Sequence, residues 1–278
     1  MSGVAVGLSL ALAAGLTTAV AHALLKSGSD RLATRFLIGL TEAAVALPVV
    51  VWVGLPAPEL WPWLLLSAGL HVIYQLALVR AYDTADFSLA FPLARGVAPV
   101  MTALLGIAFL SEGLTPLSLC GIAAVTGGLV LMAAQRGLRA DGLAAAFAAG
   151  VLTTAYTLVD AYAVRSAEAP ITFIAWFFLL EGLLLAPIVV AIRRGGLASA
   201  VVTDWRKGFA AGVVSLLGFG AALWALALAP AGAVSALRET SVAFAVIIGA
   251  LFLKERISLR RATGAAVIAG GAAAILLG

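Results

Sequence analysis

The nine residues LLGIAFLSE at positions 104–112 return as IIGALFLKE at positions 247–255, and this recurrence decides the architecture of the chain. The two copies align without a gap at a separation of 143 positions. The same separation pairs Arg95 with Arg238. Nearer the start of each half the match continues at a smaller separation, which places the insertions in loops. We therefore expect two copies of one ancestral unit.

The composition excludes an ordinary soluble protein. Of the 278 residues, 63% are hydrophobic and 11% are charged, against roughly 45–50% and 25% in soluble domains. Because this number of charged residues is too small to cover the surface of a globular protein, most of the surface must face lipid. The single Cys120 excludes an internal disulfide, and two histidines leave no set for a metal cluster. We expect no cofactor.

Ten apolar segments are long enough to cross a bilayer as helices, since one span needs about 20 apolar residues. They occupy nearly the whole chain and leave no room for a soluble domain. The expected fold is all-α, a polytopic integral membrane protein with a single bundle. The predicted spans are 3–25, 33–53, 61–81, 88–110, 116–134, 141–164, 171–192, 208–229, 232–253 and 259–277.

Lysine and arginine collect in alternate loops. Fourteen lie after spans 1, 3, 5, 7 and 9, whereas the opposite set of loops and termini holds only Arg165. By the positive-inside rule, both termini are predicted to be non-cytoplasmic, in a multi-pass protein of the cell inner membrane. No basic stripe is present, which argues against a nucleic-acid partner.

Each predicted repeat, residues 1–136 and residues 137–278, holds five spans. Because five is odd, the second copy enters the membrane from the opposite side. Inverted repeats give many secondary transporters two faces around a midplane site, so we predict a carrier working by alternating access. No metal-ligand set, nucleophile motif or phosphate-binding loop is present, which argues against an enzyme. A passive channel stays open as an alternative.

Each half ends in a Phe-Leu-x-Glu stretch, at 109–112 and 252–255, followed by a Gly-rich helix. In a five-plus-five plan this resembles the EamA-type branch of the drug/metabolite transporter superfamily. The resemblance implies a cavity lined mainly by spans 1, 3, 4, 6, 8 and 9, and a small-metabolite substrate, as in the YddG-type amino-acid exporters. Related four-helix multidrug exporters carry an essential Glu in their first helix, where this chain has His22 and Asp160.

Ionisable side chains inside the spans are the candidate site, because a charge at the bilayer centre costs at least about 2.5–3.5 kcal/mol. Guanidinium groups suit carboxylates, so of Arg95 and Arg238 one is predicted to hold a substrate carboxylate. The other would pair with Glu239 or Asp160. Glu239 has no acidic mate, since Gly96 stands at the matching position. It is therefore a candidate for a substrate ammonium group or a coupled proton.

Other polar and aromatic side chains share helix faces with these charges. Pairs four residues apart on one helix point the same way, which favours a lined cavity. Beside the two arginines and Glu239, the predicted substrate-binding residues are His71, Tyr74, Gln75, Tyr156, Asp160, Trp224 and Ser235, with Phe219 as a further wall residue.

Glu42 and Glu181 occupy equivalent positions, each six residues before a proline. They are predicted to be a symmetric structural pair or, together with His22, carriers of a coupled proton. Pro92 and Pro99 flank the arginine of span 4 and would bend or break that helix, which predicts a gating role. Span 9 has neither proline.

Together these features predict a secondary carrier that exports a small metabolite, with an amino acid as the first candidate. The alternative is proton-coupled efflux of organic cations through Glu239 or Asp160. The expected partners are the small-molecule substrate and the lipid bilayer, and the sequence leaves monomer and homodimer both open.

Overall fold

The computed structural model describes residues 2–27, 30–83, 87–133, 140–193, 195–252 and 258–278, and in these ranges every regular element is helical. The predicted all-α class is confirmed. The predicted repeat boundary at 136/137 and the end of the second motif copy lie outside the described residues. The helices are α1 (Gly3–Ser27), α2 (Arg31–Val53), α3 (Trp61–Asp83), α4 (Phe87–Leu110), α5 (Pro116–Ala133), α6 (Ala140–Ser166), α7 (Pro170–Arg193), α8 (Leu197–Leu228), α9 (Ala231–Arg238), α10 (Thr240–Phe252) and α11 (Leu259–Leu277).

The helices match the predicted spans in order. Within the described ranges, seven are long and apolar enough to cross a membrane, and Arg95–Leu110 and Pro116–Met132 are shorter apolar helices. The ninth predicted span is divided into α9 and α10, which together cover its length. The helices α1 to α8 correspond to the first eight spans and α11 to the tenth.

The one-residue break in the ninth span lies at Glu239. Its amide donates to the Ala236 carbonyl at 3.1 Å, and its carbonyl accepts from Val242 at 3.0 Å, so both bonds span three residues where an α-helix spans four. The backbone therefore forms one 3₁₀ turn at this point. This break sits beside Arg238, which is the last residue of α9.

The sequence predicts that Pro92 and Pro99 bend or break span 4, and the structure shows no break, because α4 continues through both prolines. Proline is tolerated in membrane helices when neighbouring groups satisfy the backbone that it frees. Next to Pro99, Thr154 of α6 donates its hydroxyl to the carbonyl of Ala98 at 3.4 Å, which joins α6 to α4 at this level. A gating role for the two prolines stays a prediction.

The helices that end each repeat, α5 and α11, approach through glycines. A methyl group on Gly121 would lie 2.6 Å from the carbonyl oxygen of Gly271. One on Gly128 would lie 2.8 Å from that of Gly264. Because glycine has no side chain, the backbones of these two helices lie close together at both positions.

The largest buried apolar cluster is packed toward one end of the bundle, where α6 and α8 end and α7 and α9 begin. Val164 and Leu226 lie two residues before the ends of α6 and α8, and Phe173 lies three residues after the start of α7. All three are at most 1% exposed. We call this the closed end.

Gly128 and its neighbour Gly127 provide a matched test of the α5–α11 contact. Gly128→Val should lower the free energy of unfolding by about 1–3 kcal/mol, because the added carbons meet Ile268 and the α11 backbone. Gly127→Val is the control, since a side-chain carbon there meets nothing within 4 Å. Thermal unfolding of the purified protein in detergent measures both, and equal melting temperatures for the two variants would refute the assigned packing.

Candidate functional site

A cavity of about 110 Å³ lies inside the bundle. This volume is several times what one water molecule needs, so the cavity can hold a small ligand. Helices α2 and α7 contribute to the wall in addition to the helices that the resemblance implied. The lining residues are Thr18, Ala21, Arg35, Ile38, Glu42, His71, Tyr74, Gln75, Arg95, Tyr156, Phe178, Glu181, Ser215, Gly218, Phe219 and Arg238.

Arg95 and Glu239 form a two-pronged ion pair between the two halves of the chain. The Arg95 Nε lies 2.6 Å from Glu239 Oε2, and its Nη2 lies 3.0 Å from Oε1. Both side chains are buried. Of the pairings that the sequence left open, the structure has Arg95 with Glu239, and both carboxylate oxygens of Glu239 are engaged.

Arg238 has a different environment from its repeat mate. Its guanidinium carbon lies 4.9 Å from the ring centroid of Phe219, a favourable cation–π distance. Within the part of the chain that the structure describes, no carboxylate lies within ion-pair distance of it. Arg238 therefore presents a guanidinium group to the cavity without an acidic partner from the described residues.

A second charged cluster, which we call the Arg35 cluster, consists of Arg35, Glu42, Gln75 and Glu181. Arg35 Nη2 lies 2.8 Å from Glu181 and 3.4 Å from Glu42. Its Nε donates to Gln75 Oε1 at 2.5 Å, and the Gln75 amide donates to Glu181. Two carboxylates thus share one guanidinium group.

Arg35 is the site residue that the sequence reasoning missed. It lies four residues into α2, near enough to a predicted helix end to be counted as a loop charge. Arg35 and Glu42 are seven residues apart, about two turns of one helix, and this spacing was the available signal. The structure also brings Glu42 and Glu181 together, as expected of a symmetric pair.

Asp160 lies behind the cavity wall and holds His71. Its side chain is fully buried, accepts from the Ser67 hydroxyl at 2.5 Å and lies 2.9 Å from His71 Nε2. The His71 ring packs on Tyr156, with centroids 4.1 Å apart, and on Phe219 at 4.9 Å. Asp160 therefore acts on the cavity through His71.

Trp224 and Ser235 are corrections to the predicted set. Trp224 is 38% exposed and lines an apolar groove on the outside of α2, α7 and α8. It is five residues beyond Phe219, about 140° further around α8, so it faces away from the cavity. Ser235 is buried inside α9 and is not among the cavity-lining residues. The side chains of His22 and Pro92 lie outside the described part of the chain.

The first copy of the repeated motif, residues 104–112, makes a set of contacts at the closed end. Ser111 adopts a left-handed φ of 53° after α4, and the Glu112 amide donates back to Gly106 at 3.3 Å. Gly106 has no side chain, and this leaves room for the Glu112 carboxylate, because a Cβ atom at position 106 would collide with that carboxylate. The glycine and the glutamate of the motif therefore work as a unit.

The Glu112 carboxylate ties three helix ends together. It accepts from the Ala231 amide at 2.9 Å, at the start of α9, and pairs with Arg165 at 2.7 Å. Arg165 donates to the carbonyls of Leu226 and Ala229 at 2.8 and 2.9 Å, where α8 ends. We call Glu112, Arg165 and these backbone groups the clasp.

A known protein family matches this chain twice, once in each half. Residues 1–134 and 141–277 match the model of the EamA-like transporter family. No curated protein matches. A solved crystal structure, described only as that of a protein, is similar over 98% of this chain and 95% of its own, with a TM-score of 0.73 and 20% sequence identity. That likeness is one of fold.

The Arg35 cluster should be sensitive to loss of its only cation. Arg35→Met leaves two buried carboxylates without a countercharge and is expected to lower the free energy of unfolding by about 3–5 kcal/mol. The double variant Arg35→Met with Glu181→Met should recover part of that loss, since apolar replacement of a whole buried pair is often neutral. Denaturation in detergent, run as a double-mutant cycle, measures both. Additive losses would show that the two side chains do not interact.

Proposed function

Because the chain belongs to the EamA-like transporter family, we propose that it is a secondary carrier that exports small metabolites, amino acids first among them, across the cell inner membrane. The observation that carries the proposal is the uneven charge inside the cavity. Arg95, Arg238 and Glu239 together hold one more positive than negative charge. The Arg35 cluster has two carboxyl groups and one guanidinium group, so with both carboxyl groups ionised it holds one more negative than positive charge. A zwitterion complements both.

Arg238 is the proposed carboxylate ligand. Arg95 is occupied by Glu239, whereas Arg238 lines the cavity with no carboxylate partner among the described residues. A guanidinium group offers paired donors that match the two oxygens of a carboxylate. Phe219 holds it in place from one side.

The Arg35 cluster is the proposed site of the substrate ammonium group. Glu42 and Glu181 both line the cavity and are almost fully buried. One arginine neutralises only one of them, so a cationic group is favoured there. Ile38 and Phe178 add apolar wall for a substrate side chain.

Alternating access is supported by the clasp and by the break at Glu239. The clasp joins the ends of α4, α6 and α8 to the start of α9 on one side of the cavity. With both termini non-cytoplasmic, that side is the outer face. In the proposed cycle the clasp opens to release substrate, and the tightened turn beside Arg238 allows α9 to move relative to α10.

The alternative of organic-cation efflux has lost the residues assigned to it. Glu239 is engaged by Arg95, and Asp160 is engaged by Ser67 and His71. A cationic drug in this cavity would also meet the charge of Arg238. The substrate panel described next includes organic cations so that the experiment decides between the two.

Arg238→Ala is expected to weaken substrate binding about 10- to 100-fold, the equivalent of one lost charge-assisted interaction. The assay is radiolabelled uptake into proteoliposomes preloaded with neutral amino acids, organic acids or quaternary amines. Arg206→Ala, an exposed arginine elsewhere on α8, is the control. Wild-type uptake by Arg238→Ala would contradict the assignment, and acceleration by quaternary amines alone would favour the alternative function.

The clasp is expected to control access from the closed end. Glu112→Gln should raise maleimide labelling of a cysteine placed at Ala233, now 2% exposed, several-fold in a Cys120→Ser background. The reason is that Arg165 and the start of α9 lose their shared carboxylate. Glu168→Gln, an exposed glutamate near the same end, should leave labelling unchanged. Unchanged labelling in Glu112→Gln would remove the clasp from the mechanism.

A further inference from the structure

We propose that Glu42 carries the proton that this carrier exchanges for its substrate, an inference that rests on the proposed transport function. Glu42 and Glu181 come from equivalent positions of the two repeats and share the guanidinium group of Arg35. Both are only 2% exposed. Leaving one of two buried carboxylates without a countercharge costs several kcal/mol, so the cluster takes up one further cation.

The contacts distinguish the two carboxylates. Glu181 Oε1 accepts from Arg35 at 2.8 Å and also from the Gln75 amide, so Glu181 is the satisfied anion. Glu42 lies 3.4 Å from the same Arg35 nitrogen and receives the weaker contact. Ser215 of α8 also offers Glu42 a hydroxyl, and a hydroxyl can donate to a carboxylate or accept from a protonated carboxyl group. Glu42 is therefore the member that holds the proton.

The other titratable groups around Glu42 do not compete with it for the role of proton carrier. On α7 the facing titratable group is Glu181, and on α3 the cavity wall carries His71 and Tyr74. His71 is already paired with Asp160. Among the described side chains of α1, Thr18, with its hydroxyl, and Ala21 line the wall.

The remaining titratable groups of the cavity wall belong to its positive side. Arg95 is bound by Glu239, and Arg238 is reserved in the proposed site for the substrate carboxylate. Tyr156 packs against His71 on the same side. Within the described residues, this leaves the carboxylates of the Arg35 cluster as the acidic groups that face the cavity without a full set of partners.

The exchange balances charge at every step. In the substrate-free cavity Glu42 is a neutral carboxyl group and Arg35 is paired with Glu181. When a zwitterion enters, its ammonium group approaches Glu42, which releases its proton to the water of the open side. The resulting carboxylate pairs with the ammonium group. After substrate leaves on the other face, Glu42 takes a proton from that face, so one proton moves opposite to each substrate molecule.

Proteoliposomes and a pH-indicator dye test the assignment. The probe is whichever neutral L-amino acid gives the strongest counterflow with the wild-type protein. Wild type should accumulate it several-fold when a pH gradient is imposed and should release about one proton for each molecule bound in detergent. Glu42→Gln should keep counterflow at equal pH, with weaker affinity, but should lose both proton-dependent readouts. The matched control Glu168→Gln removes an exposed carboxyl outside the cavity and should behave as wild type.

Each outcome decides the inference. Proton release by Glu42→Gln equal to wild type, or its absence in wild type while counterflow persists, overturns the role of Glu42 and leaves the carrier function standing. If no amino acid gives counterflow with wild type, the proposed function fails and the inference with it. Should Glu42→Gln not fold, Glu42→Asp retains a titratable group and must keep proton release, while the wild-type measurement alone can still refute the exchange.

Discussion

Two pairs of carboxylates and arginines meet in the interior of a bilayer-spanning bundle, where an uncompensated charge is costly enough to decide which helices pack together. Arg95 of α4 reaches Glu239 between α9 and α10, and Arg35 of α2 reaches Glu181 of α7. Both pairs join the first half of the chain to the second. The requirement to neutralise buried charge thus holds the two repeats face to face and places the cavity between them.

The repeats are related by sequence, but their charges are not equivalent. Arg95 and Arg238 are mates, yet only the second half has an acidic residue at the next position, and that residue crosses over to pair with Arg95. Arg238 is thereby left facing Phe219 and the cavity. One difference between the two copies, Gly96 against Glu239, accounts for the ion pair with Arg95 and for the cavity-facing Arg238, and the helix break lies at the same position.

The sequence predicted those features that depend on periodicity and length. The spans follow from the apolar runs, and the repeat follows from the recurrence of residues 104–112 at 247–255. It did not predict what depends on which face a helix turns inward or on where a helix begins. From the sequence, Arg35 counts as a loop charge because the start of α2 is uncertain by a few residues, and Trp224 is predicted to face the cavity because the rotation of α8 is not fixed by its sequence. No proline lies at the break at Glu239, so the sequence gives no signal for it.

In the proposed exchange, the proton carrier must be accessible from both faces of the membrane, and the position of the acidic pair meets this requirement. Glu42 is eleven residues from either end of α2, and Glu181 is eleven residues from the start and twelve from the end of α7. Each is therefore central in its helix, so opening the bundle at either end leaves both carboxylates at about the same depth. Arg35 lies about 10 Å nearer one end of α2, and it is this side chain that makes the two carboxylates unequal. In the proposed exchange, a central pair made unequal by one off-centre cation gives one site within reach of both sides, and the carboxylate that the arginine does not hold is the one that takes the proton.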